Sequence, residues 1–211
     1  MSTDQDLNLE KIKAKVQEIK PMPVDVKNRF SVMIPLIKRD GEIHLIFEER
    51  AFTLRNQPGE ISFPGGRIEE GESPRDAALR ETSEELLISE DEIEIFSEGD
   101  FVVNPYAAII YSFIGEIKRD FDKISPSLDE VEKVFTVPLS YFLETKPKSY
   151  KIDLRVERNE DFPYHLIPNG INYKFRRGRE EVLFYEYDGH IIWGFTAKLA
   201  RRFVEKLMSL F

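Results

Sequence analysis

The chain has 211 residues, no cysteine, 39 acidic against 30 basic residues and a formal net charge of −9. That length favours one domain with an appendage and a sizeable core, while the missing cysteines exclude disulfides, thiolate metal sites and a cysteine nucleophile. The charge argues against nonspecific nucleic-acid binding, and no apolar run approaches the roughly 18 residues of a membrane span. Met1 to Lys20 lack a hydrophobic signal core, and a cytoplasmic location suits a cysteine-free chain.

Leu7, Leu9, Ile12, Val16 and Ile19 are spaced like one helical face, ended by Pro21 and Pro23. Residues 1–25 therefore read as a helical arm that packs on the main domain, 26–211, or on a second copy in a homodimer. Arg29 to Ile37 and Glu42 to Glu48 flank Asp40-Gly41, a hairpin pattern. His44 alternates with apolar neighbours and reads as an outward-facing surface histidine.

Arg50 to Gly66 is too basic and too rich in Gly and Pro for a core element. Two loop arginines are ordinarily just solvated. Here Arg50 and Arg55 both lead toward the glycines at 65 and 66, and the guanidinium fork suits phosphate oxygens.

Ser73 is a natural N-cap, Pro74 fits the first helical position, and Asp76 sits where a capping box wants an acid. No Gly or Pro interrupts the helix through Leu87. Ala78, Leu79, Thr82 and Leu86 share a buried arc. Glu81, Glu84 and Glu85 share the arc beside it at i, i+3 and i+4 spacing. Like charges so placed cost about 0.2–0.5 kcal/mol per pair. A solvated acidic face would explain two glutamates. The alternative is a site for hard divalent cations, which take oxygen ligands. The wider constellation of Gly66, Glu72, Arg80, Glu81, Glu84 and Glu85 favours the cation site. Six such matches would arise by chance less than about once in ten thousand sequences.

Further on, Glu92 to Phe96 alternates like a short strand, and Ala107 to Ile117 makes a central strand with Pro105 before it. Ser125 to Leu143 gives a loop, a strand ending at Val137 and a short helix. Glu130, at the loop-to-strand junction, reads first as an ordinary exposed acid and second as an outer carboxylate. Lys148 to Trp193 is aromatic-rich and β-like, with expected strands at Tyr150–Leu154, Phe162–Ile167, Val182–Tyr187 and His190–Trp193. The basic link Lys174–Arg179 reads as a solvated hairpin turn, with phosphate contact as the rival reading. Thr196 is expected to cap a C-terminal helix whose core face carries Ala200, Phe203, Val204, Leu207 and Phe211. This alternation of strands and helices is that of an α/β protein.

Gly66, Glu72, Arg80, Glu81, Glu84, Glu85 and Ile88 fall on the pattern Gly, five residues, Glu, seven residues, Arg-Glu-apolar-any-Glu-Glu-any-Gly-apolar. They resemble the box of the Nudix hydrolases. Thr82 departs at an apolar position, and Leu87 stands where the helix-ending Gly belongs. Upstream, Arg50-Ala51, Arg55, Gly59 and Phe63-Pro64-Gly65-Gly66 resemble the signature of the coenzyme A pyrophosphatases. Glu48 replaces the Thr frequent two residues before the first Arg. Ile192 to Ala197 is similar to the C-terminal region of the same subfamily.

The resemblance implies an α/β/α sandwich around a central mixed β-sheet. It implies Mg²⁺ or Mn²⁺ on Glu81, Glu84, Glu85 and the carbonyl of Gly65, with Glu81 or Glu84 taking a proton from water. Arg80 would pair with Glu72 to hold the loop against the helix, and Arg50, Arg55 and Arg67 would bind phosphate. The implied reaction cleaves coenzyme A or its thioesters, small-molecule substrates, to adenosine 3′,5′-bisphosphate and a 4′-phosphopantetheine moiety. Two alternatives stay open: a pyrophosphatase for ADP-ribose or another nucleoside diphosphate derivative, and a silent nucleotide-binding regulatory domain.

Overall fold

The computed structural model describes residues 8–19, 21–104 and 107–211. Leu7 and Pro105, both used above, lie outside the described residues. The first helix is α1, Leu9–Val16, capped by the Asn8 side chain on the Lys11 amide. Leu9, Ile12, Val16 and Ile19 are all exposed. Among the described residues, α1 buries no side chain.

The expected hairpin is β1, Asn28–Arg39, against β2, Glu42–Arg50, with Leu36 opposite Leu45. Asp40 and Gly41 both take positive φ, 50° and 85°, as a tight hairpin turn requires. Short β3, Ile61–Ser62, and β4, Gly65–Arg67, follow, then α2, Pro74–Leu86. Next come β5, Ile93–Glu98, β6, Val102–Asn104, and β7, Ala108–Ile117. The strand β8, Val131–Pro138, leads into the short α3, Leu139–Glu144. After β9, Lys148–Leu154, the chain reaches β10, Gly178–Tyr187, β11, His190–Trp193, and α4, Gly194–Met208.

The main sheet runs β3-β2-β1-β7-β5, with β4 on β1, β6 on β7 and β8 on β2. It is mixed: β1 pairs parallel with β7 from Asn28 opposite Ala108 to Leu36 opposite Glu116, and every other ladder is antiparallel. Strand alternation sorts its two faces. Met33, Ile37 and Ile46 meet Leu86 of α2, with Ile88, Ile93 and Ile117. Ile34, Leu45 and Phe47 face the other way, onto Phe142 of α3, Leu183 and Ile192, and Ala200 and Val204 of α4. Helices thus cover both faces of a mixed sheet, the expected sandwich. A second sheet, β11-β10-β9, shares the α4 layer.

Four local expectations change. His44 is buried with neither ring nitrogen hydrogen-bonded, Nε2 lying 3.8 Å from Glu42 Oε1, because β2 is covered on both faces; burial lowers its pKa and favours the neutral ring. Phe162 to Ile167 forms no strand but a 3-10 turn at Tyr164–Leu166, and β10 starts four residues before Val182. Thr196 does not cap α4. It lies inside the first turn, and its hydroxyl donates to the Ile61 carbonyl at 3.2 Å, tying α4 to β3. Phe211 lies beyond α4, fully exposed.

Candidate metal and phosphate site

The site forms where α2 crosses the main sheet. The Ser73 hydroxyl accepts the Asp76 amide at 3.1 Å and donates to the Asp76 carboxylate at 2.7 Å, which starts the helix. Ser31 of β1 donates to the Pro74 carbonyl at 2.6 Å and pins that end to the sheet. At the other end Leu87 takes the left-handed conformation that the missing glycine would have adopted, φ 48° and ψ 48°.

Gly65 and Gly66 sit on β4, against β1. A Cβ on Gly65, at φ 151°, would lie 2.3 Å from the Ser31 carbonyl oxygen; one on Gly66 would lie 2.3 Å from the Glu81 carboxyl carbon. Only glycine lets the strand pass this close to β1 and to the helix carboxylate. The Gly65 amide donates to Glu85 Oε2 at 2.7 Å.

Ligand oxygens of Glu81, Glu85 and Glu130 all lie within 4.8 Å of one another. Glu130 arrives because its loop is tied to the helix end: the Ser127 amide donates to the Glu85 carbonyl at 2.9 Å, and the Glu130 carbonyl accepts the Ala51 amide at 2.8 Å. Glu84 lies outside this trio, exposed on the next position of the helix. Arg80 forks onto Glu72 through Nε at 2.8 Å and Nη2 at 3.1 Å. Its Nη1 reaches Glu81 at 3.0 Å and Glu84 at 3.1 Å, and Nη2 donates to the Arg67 carbonyl. One guanidinium therefore ties the β4 loop to the helix carboxylates. This pairing raises the Arg80 pKa and lowers that of Glu72.

One residue of the site was missed. Glu48 on β2 is fully buried; its Oε1 accepts from Ser62 at 2.9 Å and its Oε2 has no partner. It faces Glu85, and burial raises both carboxyls, Glu48 to about 7 and Glu85 well above the usual range. The Glu48 charge beside it pushes Glu85 up further. Burial raises Glu81 as well, against the pull of Arg80. Strand alternation holds the signal, since Glu48 is two residues from Ile46, which faces α2. Carboxylates this crowded, with an orphaned oxygen behind them, fit the hard oxygen donor set of a divalent cation.

Arg50 ends β2, half-buried, with its Nε unpartnered and its charge acting on Glu48. The Arg50 backbone pairs with Gly59 and Glu60, which closes the intervening loop. Arg55 is exposed on that loop. Arg67 is exposed on β4, and its side chain bonds Asn28 rather than the carboxylates.

The family model for the NUDIX domain matches residues 27–154. The chain is 32% identical over 179 residues to "Peroxisomal coenzyme A diphosphatase NUDT7" of Mus musculus, covering 82% of this chain and 67% of that protein. It is 34% identical to "Nudix hydrolase 3" of Caenorhabditis elegans over 57% of this chain, but spans only about half of that relative, 51%. It is 31% identical to "Uncharacterized Nudix hydrolase NudL" of Enterobacter sp. (strain 638), over 93% of both chains. With the box glutamates gathered on α2 against the glycines of β4, this chain belongs to the Nudix hydrolase family.

Proposed function

We propose that the protein hydrolyses the pyrophosphate bond of coenzyme A or its derivatives, giving adenosine 3′,5′-bisphosphate and 4′-phosphopantetheine. The observation that carries the reaction type is the trio Glu81, Glu85 and Glu130, with ligand oxygens within 4.8 Å. The upstream arginine signature and the similarity to the mouse coenzyme A diphosphatase support the substrate.

Glu81, Glu85 and Glu130, with Glu84 beside them and the Gly65 carbonyl that the family pattern implies, would hold Mg²⁺ or Mn²⁺. The cation, when bound, neutralises phosphate charge and lowers the pKa of a bound water. Glu81 and Glu84 are the candidates to take the proton as the water oxygen bonds to one phosphorus and the bridging P–O bond breaks. Glu84 is the better placed, because its carboxylate lies outside the trio. The proton balance closes with the bridging oxygen leaving on the second phosphate. Arg80 and Glu72 hold the glycine loop against the helix, and Arg50 and Arg55 supply positive charge to the phosphates, with Arg67 farther along β4.

Incubation with a nucleotide panel in Mg²⁺ or Mn²⁺, with products identified by mass, tests this. Coenzyme A should yield the two named products. Markedly faster cleavage of ADP-ribose would overturn the substrate assignment.

A further inference from the structure

Between β9 and β10 the chain makes a long excursion, residues 155–177, that the metal site does not use. Its two ends enclose a cavity of about 540 Å³ lined by Arg155, Arg158, Lys174, Arg176 and Arg177, with Tyr173 and Phe175. No acid lines it, in a protein of net charge −9.

The ladder explains why these charges meet. Leu154 is opposite Gly178, and one step further the strands release Arg155 and Arg177 side by side. Like charges directly across a ladder are destabilising. One position inside the ladder, Arg179 is neutralised by Asp153 at 3.1 Å. Beyond the ladder the neutralisation stops: among the described residues none of the five cations has an ion pair or hydrogen bond. The excursion is nonetheless built. Phe162 packs edge-on against Tyr164 and Phe175 at 5.0 and 5.6 Å, and Tyr173 against Phe175 at 4.9 Å. The Arg158 guanidinium lies over the Tyr164 and Phe175 rings, at 5.5 and 5.7 Å. An aromatic cluster thus holds repelling cations around an open cavity, with an exposed tyrosine ring beside them.

We propose that this cavity is a second anion site, separate from the metal centre, and that it takes the phosphomonoester of a nucleoside. The arginines would bind the phosphate dianion as charge-assisted forks, and Tyr173 offers a face to the base. Coenzyme A and adenosine 3′,5′-bisphosphate both carry this group on the ribose, so the proposal extends the coenzyme A reading. The ligand is either the 3′-phosphate of bound substrate or the free bisphosphate. None of the lining residues belongs to the carboxylate cluster, so binding here needs no divalent cation.

Calorimetric titration of the full chain with adenosine 3′,5′-bisphosphate in EDTA tests the site, with adenosine as the comparison. Binding should be at least about tenfold tighter than for adenosine and weaken with salt. It should fall at least about tenfold in Arg176→Ala/Arg177→Ala at unchanged melting temperature, and be largely kept in Arg176→Lys/Arg177→Lys. No binding in EDTA, or equal binding by the double alanine variant, overturns the proposal. The kcat/KM of the alanine variant then separates the sources. A loss for coenzyme A but not for 3′-dephospho-coenzyme A assigns the cavity to the substrate, and no loss for either assigns it to the free nucleotide. A protein that binds the bisphosphate but leaves coenzyme A uncleaved would uphold the site and refute the proposed reaction.

Discussion

Glu85 joins three features of the site: the Gly65 amide at 2.7 Å, the trio with Glu81 and Glu130, and the buried Glu48 behind it. Glu85→Gln should therefore lose at least about 100-fold in kcat, on the order of 2.7 kcal/mol, and weaken metal binding as well. Glu84→Gln should cut kcat with the smaller change in metal affinity, because Glu84 lies outside the trio; steady-state kinetics across metal concentrations separates the two. Glu48 adds a dependence on pH. Burial pushes its carboxyl up to about 7 in the folded chain, from the ordinary 4.5. Between those values the folded chain keeps a proton that the unfolded chain has lost, so rising pH favours unfolding. In chelator the melting temperature should fall as pH climbs from 4.5 to about 7, and less steeply in Glu48→Gln, by calorimetry. Sequence spacing made Glu81, Glu84 and Glu85 legible because all three lie on one helix. It left Glu48 and the placement of Glu130 obscure, because both depend on which face of which strand turns toward α2.

At the scale of elements, α2 is set from both ends. Its start was readable from Ser73, Pro74 and Asp76, since a cap is local chemistry. Its end was not, because Leu87 occupies a glycine position and sequence alone does not say whether the backbone yields. The backbone keeps the left-handed turn, and the Leu87 amide still bonds the Ser83 carbonyl. An L-residue there costs about 1–2 kcal/mol, part of which glycine would return as greater freedom in the unfolded chain. Leu87 is 56% exposed, so little burial is lost on replacing it. Leu87→Gly should raise stability by about 0.5–1 kcal/mol, a few degrees in Tm for a chain of this size, with activity intact. The misread elements share a cause. His44, Thr196 and Phe162–Ile167 each carry a local pattern that tertiary packing overrides: coverage of both sheet faces, a tether to β3, and an aromatic cluster that folds as a turn.

For the whole molecule, a net charge of −9 repels an anionic substrate, so attraction must come from local cations. Arg50, half-buried at the end of β2, and Arg55, on the loop after it, precede the glycine strand. Each charge-assisted contact contributes roughly 1.5–3 kcal/mol, so Arg50→Ala or Arg55→Ala should lower kcat/KM for coenzyme A about tenfold or more with metal affinity little changed. The layered fold was legible from alternating strands and helices together with the family resemblance. The second sheet, and the way α4 locks onto β3, were not, since they depend on contacts between distant segments.

The account rests on Glu81, Glu85 and Glu130 forming one cation site from two separate parts of the chain. Direct Mn²⁺ titration followed by electron paramagnetic resonance, on wild type and on Glu81→Gln, Glu85→Gln and Glu130→Gln, tests it without substrate. Each variant should bind Mn²⁺ about tenfold or more weakly while keeping its melting temperature in chelator. Unchanged Mn²⁺ affinity in Glu85→Gln and Glu130→Gln would contradict it.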